Sequence, residues 1–171
     1  MTRFLRIVGL LLLGVWLGAA VFFSAAVAPN LFKVLREADL PNANMLAGAI
    51  VTRLVAVINR SGFEISLLLC ILAFFSEGRK IVWRIAEMIS LAIMAIMTGV
   101  GHWVIAARMT NLRAAMQLPI DQIALSDPRR IAFDNLHRYS VAAMALAIMA
   151  ALIAFIVIAI NRQTRVGETS Q

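Results

Sequence analysis

Cysteine is nearly missing from this chain. Cys70 is the single one among 171 residues, so an intramolecular disulfide and a CxxC metal or redox pair are both excluded. Charge is scarce as well: 15% of residues are ionised, against about 25% in an ordinary soluble domain. No stretch alternates polar and apolar residues over strand length, which excludes a β-barrel. GxSxG, HExxH and phosphate-loop motifs are absent, so no enzyme chemistry is expected. Basic residues nowhere alternate with aromatics in a run, and nucleic acid is not an expected partner.

What is present is apolar. Hydrophobic residues make up 62% of the chain, more than a soluble fold of this size could hide. Sixteen Lys and Arg stand against nine Asp and Glu, and most flank apolar runs. Membrane lipids, including anionic headgroups, are therefore the expected partners of the basic excess.

The first apolar run raises a choice. Ala26-Val27-Ala28 has the small-x-small form of a signal-peptidase site. A signal core is about 7–15 residues long, however, and a spanning helix about 20. Ile7 to Ala28 offers 22 residues without a charge, and Pro29 follows. The reading is a retained transmembrane helix.

Four helices are expected, at about 5–28, 46–76, 81–116 and 128–160, with a polar tail at 162–171. The segment 29–45 is read as a loop with one amphipathic turn near Leu31–Glu37. Ser76-Glu77-Gly78 breaks the chain after the second helix, and Pro119 ends the third. Asp127-Pro128 has the form of an N-cap followed by a first-turn proline. Arg130, Asp134 and Arg138 follow at i,i+4 spacing. The expected fold is all-α: a single-domain integral membrane four-helix bundle over residues 1–161 with up-down topology.

The second helix is the untidy one. Its purely apolar half, Ile65–Phe75, is only 11 residues and must extend backward through Arg53, Arg60 and Glu64. Those three fall within about 40° on a helical wheel. Glu87, Ser90, Thr98, His102 and Arg108 form a stripe about 120° wide on the third helix. Charge at bilayer depth is costly unless paired or wetted. The expected site is an interior polar cluster of Arg53, Arg60, Glu64, His102, Arg108 and His137. Gly14-Val-Trp-Leu-Gly18 is a GxxxG strip, read as helix packing within the bundle or as a homodimer face. No metal ligand set and no cofactor are expected. Cys70 and the nine methionines read as packing.

GVWLGAAVFFSAAVAPNLFKVL in the first helix, IAARMTNLR after the third and FDNLHRYSVAAM opening the fourth resemble the transmembrane protein 205-like family. In bacteria that family is catalogued as a domain of unknown function. The matching positions are Gly14, Trp16, Gly18, Phe32, Arg108, Phe133, His137 and Ser140. The resemblance implies a four-helix integral membrane protein of unassigned biochemistry and supplies no catalytic residues.

The functional expectation is binding or movement of a small solute or ion through the polar cluster. One alternative is a membrane-structural or assembly protein, and a second is a haem- or metal-binding redox subunit using His102 and His137. A homo-oligomer or another membrane protein is an expected partner. The expected location is the plasma membrane, the inner one of a bacterium, with both termini cytoplasmic. The positive-inside count is indecisive, with seven basic residues on the terminal side and nine opposite.

Overall fold

The computed structural model describes residues 3–40, 42–75, 81–116 and 120–160. Among these no strand occurs. Helix α1 (Arg3–Phe22) passes through a π-helical turn, Phe23–Val27, into α2 (Ala28–Glu37). Helix α3 is Ala43–Phe74. Helix α4 (Ile81–Gly99) passes through a second π-helical turn, Val100–Ile105, into α5 (Ala106–Met116). A short 3-10 turn at Ile120–Gln122 precedes α6 (Pro128–Ile160).

Four continuous rods result, and each is long and apolar enough to cross a membrane. Hydrocarbon offers backbone N–H and C=O groups no partner, so a run of this kind must satisfy them within a helix. The chain is an integral membrane protein built as an up-down helical bundle.

The expected loop at 29–45 is corrected. The chain stays helical to Glu37, and the turn-back occupies only a few residues after it. Two features allow this. Pro29 follows directly on the π-helical turn and has no N–H to place in the shifted bonding register there. The π-helical turn before it shifts the hydrogen bonds by one residue, so that Ala28 N–H donates to Phe23 O. Asp39 then reverses the chain in the left-handed region at φ 49°, a conformation Asp tolerates better than most residues. The sequence signals at Pro41, Ser76-Glu77-Gly78, Pro119 and 162–171 lie outside the described residues.

Helix α4 lies between α3 and α6, and α1 packs mainly on α6. The face of α6 that meets them is lined by Ala147, Ala150, Ala151 and Ala154, all buried. Small side chains let neighbouring backbones approach closely where lipid supplies no hydrophobic drive. Leu13, Leu91, Met94 and Ile158 fill the spaces left between the helices.

The rods are 32 to 36 residues long. At 1.5 Å per residue that is about 50 Å, against about 30 Å of hydrocarbon. The excess falls at one end, where α2, the first turns of α3, α5 and the first turns of α6 carry the polar residues. A second apolar cluster of Met116, Ile123 and Phe133 closes that end. Arg113 ties it together. Its guanidinium lies 5.0 Å over the Phe133 ring and donates to Thr52 Oγ at 3.0 Å.

Candidate functional site

Interhelical contacts fix the depth of each residue. Trp16 lies near the middle of the charge-free run Ile7–Ala28. Its Nε1 donates to Ile58 O at 2.9 Å, across to α3. Its ring fills the space beside Gly62, where an added Cβ would lie 2.7 Å from the indole. One turn around α3, Asn59 faces α4 and is 3% exposed. Its amide occupies the space over Gly101, where a Cβ would come within 2.8 Å of Nδ2. Trp16, Asn59, Gly62 and Gly101 therefore share one level of the bundle.

Gly101 and His102 sit in the second π-helical turn, where Ala106 N–H reaches back to Gly101 O. His102 packs edge-on to Trp103 at 4.9 Å, and Trp103 in turn meets Phe63 of α3 at 4.8 Å. The Nδ1 of His102 is buried without a hydrogen-bond partner among the described residues. Polar side chains on one side of this layer behave differently. Thr98 donates to Met94 O at 2.7 Å, Ser66 to Phe63 O at 2.9 Å and Ser90 to Ala86 O at 2.8 Å. Each hydroxyl is satisfied by its own helix.

The expected interior cluster is not gathered in one place. Arg60 and Glu64 pair at 2.9 Å, as their i,i+4 spacing implies, but their side chains are 69% and 60% exposed. Arg53, Arg108 and His137 are also exposed. Of the six expected residues only His102 is partly enclosed. The reason is angular. The packed faces of α3 carry Ile58, Gly62 and Leu69 toward α1, and Asn59 and Ser66 toward α4. The Arg53–Arg60–Glu64 stripe points the opposite way. A wheel shows that charges share a face, but not which neighbour that face meets. On α4 the stripe did point inward: Glu87, Ser90 and Thr98 are buried.

The two glycines of the first-helix strip part company. Gly14 packs within the bundle, 3.6 Å from the Phe155 ring by its notional Cβ, whereas Gly18 meets open space. Sequence reasoning passed over Asn59, Gly62 and Gly101 as site residues. An uncharged amide in an apolar helix, and a glycine beside the histidine, were the signals available. The i,i+4 ladder expected on α6 does not form: Arg130 instead donates through Nη1 to Ile123 O. Asp127 caps α6 as expected, accepting from Arg129 N–H at 2.8 Å. Among the described residues no three His, Cys, Asp or Glu side chains gather where an ion could sit.

A bundle of four lipid-length rods with a central polar layer defines a polytopic helical membrane protein. Residues 11–117 match the family described as "Domain of unknown function (DUF4149)", and the chain belongs to that family. The matched stretch runs from α1 to the end of α5, so the layer from Trp16 to His102 lies within it and α6 with His137 lies beyond it. Neither curated proteins nor solved structures give a match.

Proposed function

We propose that this protein binds or moves a small polar solute or ion, with the proton as the simplest cargo, through the layer around Asn59, Gly101 and His102. One observation carries the reading: a buried imidazole nitrogen without a partner among the described residues, held in a π-helical turn inside a long apolar rod. π-Helical turns inside longer helices occur often at functional sites. A buried polar atom left unsatisfied costs on the order of 1–3 kcal/mol. A hydrogen bond from a bound polar ligand would recover it.

The rest of the reading follows the sequence. The protein is non-enzymatic and sits in a bacterial inner membrane with both termini cytoplasmic. The basic residues at the rod ends meet anionic headgroups. The first-helix, post-third-helix and fourth-helix motifs support kinship with the transmembrane protein 205-like family.

The test is proton flux into liposomes that enclose a pH-sensitive dye, driven by an imposed membrane potential. Wild-type protein should acidify the lumen faster than empty liposomes do, and His102→Ala should return the rate to the empty level. His137→Ala, on the extension outside the hydrocarbon, should keep the wild-type rate. A wild-type rate equal to that of empty liposomes, or an unaffected His102→Ala, rejects the reading. The self-satisfied hydroxyls of Ser66, Ser90 and Thr98 favour a second reading, a membrane-structural or assembly protein. In that case all variants match empty liposomes, and His102→Ala alters thermal stability alone.

A further inference from the structure

The layer around His102 leaves one buried ionisable group unexplained. Glu87 of α4 is 2% exposed, and among the described residues it is the only charged side chain that is buried. It belongs to a line of buried residues on α4, with Leu91, Met94, Thr98, Gly101 and Ile105. Their alternating spacing of four and three is the seven-residue repeat that keeps one face of a helix against its neighbours. The carboxylate is therefore carried into the bundle by the same face as Gly101, which lies 14 residues, or about 21 Å, further along α4.

Two contacts set the register of α3 against this line. Asn59 stands against Gly101, and the Cys70 thiol donates to Met88 O at 3.8 Å. Ser66 on α3, and Ser90 and Thr98 on α4, fall between these two levels. All five buried polar side chains of the described residues thus sit on α3 and α4. Their chemistry is one-sided. A hydroxyl has one proton to give and two lone pairs to accept with. Ser66, Ser90 and Thr98 have each given theirs to their own helix, so toward anything else they can only accept. An ionised Glu87 accepts only. It already has an interaction within the protein, and the roughly four acceptor sites of a carboxylate leave capacity beyond one partner.

We infer that Glu87 is a cation-binding residue, and that the solute handled between α3 and α4 is a monovalent cation, not an anion or a neutral molecule. Oxygen lone pairs are the ligands that hard cations take. Acidic side chains lining a path select positive ions. One carboxylate balances one positive charge. An anion would meet that same charge with no buried Lys or Arg among the described residues to offset it. Ionisable groups turned into the interior of a membrane bundle mark ion pathways and proton relays.

The inference shares with the preceding proposal the premise that the bundle interior handles a solute, and its test separates the two. Liposomes holding the full chain enclose a dye for protons, for Na+ or for chloride, and receive a membrane potential of either sign. Wild-type protein should pass protons or Na+ and leave chloride at the rate of empty liposomes. Glu87→Gln keeps the shape and removes the charge, and it should slow the cation flux by about tenfold or more. Glu87→Asp, which restores the charge, should recover part of that flux. Sodium flux without proton flux would uphold Glu87 and the cation class while overturning the proton as cargo. Chloride flux above the empty level overturns the inference. So does a wild-type cation rate in Glu87→Gln when His102→Ala abolishes it, and that result leaves the His102 reading standing. Wild-type protein that passes none of the three ions overturns both proposals. If Glu87→Gln fails to fold, the chloride arm with wild-type protein and the Glu87→Asp rate still decide the matter.

Discussion

A methyl group added at Gly62 would lie 2.7 Å from the Trp16 indole, and the ring cannot retreat without breaking the Nε1–Ile58 O bond. At Gly18 the same methyl would meet nothing. Gly62→Ala should therefore destabilise the protein by about 1–3 kcal/mol through overpacking. Gly18→Ala should stabilise it by about 0.5–1 kcal/mol, because Gly is the poorer helix residue. Unfolding of the purified variants in a graded detergent mixture measures both. Loss at Gly18 equal to that at Gly62 would mean that Gly18 faces a protein surface. The GxxxG spacing of Gly14 and Gly18 was legible in the sequence. The more demanding glycine, Gly62, was not, because its neighbour is 46 positions away and only the fold puts an indole against it.

At the scale of elements, local chemistry decided most of what the helices do. Asp127 and Pro128 set the start of α6, and the carboxylate accepts both the backbone and the side chain of Arg129. Those bonds, with the Arg129 side chain first, hold the Asp127 carboxyl at about 2, below its ordinary 3.8. The folded state thus favours the ionised form. Its stabilisation is complete above about pH 4 and disappears as pH falls through about 2. Asp127→Asn does not titrate. The gap in thermal midpoint between wild type and Asp127→Asn should stay constant from pH 7 to about pH 4 and close near pH 2. A gap unchanged at pH 2 would show that the cap acts through shape alone. The π-helical turns were beyond reach of periodicity, since an inserted residue leaves hydrophobicity nearly unchanged. Pro29 pointed to a break, and the backbone instead shifted its bonding register and continued.

The whole molecule has two stability regions. Within the hydrocarbon, amides have no water to exchange with. At the extended end, α2, α5 and the first turns of α6 stand in solvent, held by the Met116–Ile123–Phe133 cluster and by Arg113. Hydrogen exchange in nanodiscs should be fast at 28–37, 106–116 and 128–138 and slow at 58–72 and 143–158. Uniform protection along the rods would show that the ends are sheathed, by headgroups or by protein. The outward turn of Arg60 and Glu64 belongs to this scale too, because it follows from how α3 packs on α1 and α4.

The amino-acid sequence by itself determined the solvent, the fold class and the approximate rods. Four long runs poor in charge can satisfy their backbones in lipid only as helices, and that requirement involves no long-range contact. Only the tertiary structure decided which way each polar stripe turns. A helix presents any face equally well, and the choice depends on which side chains of the neighbours leave room. Asn59 and Gly62 fitted against α4 and α1, and that fit swung Arg60 and Glu64 outward.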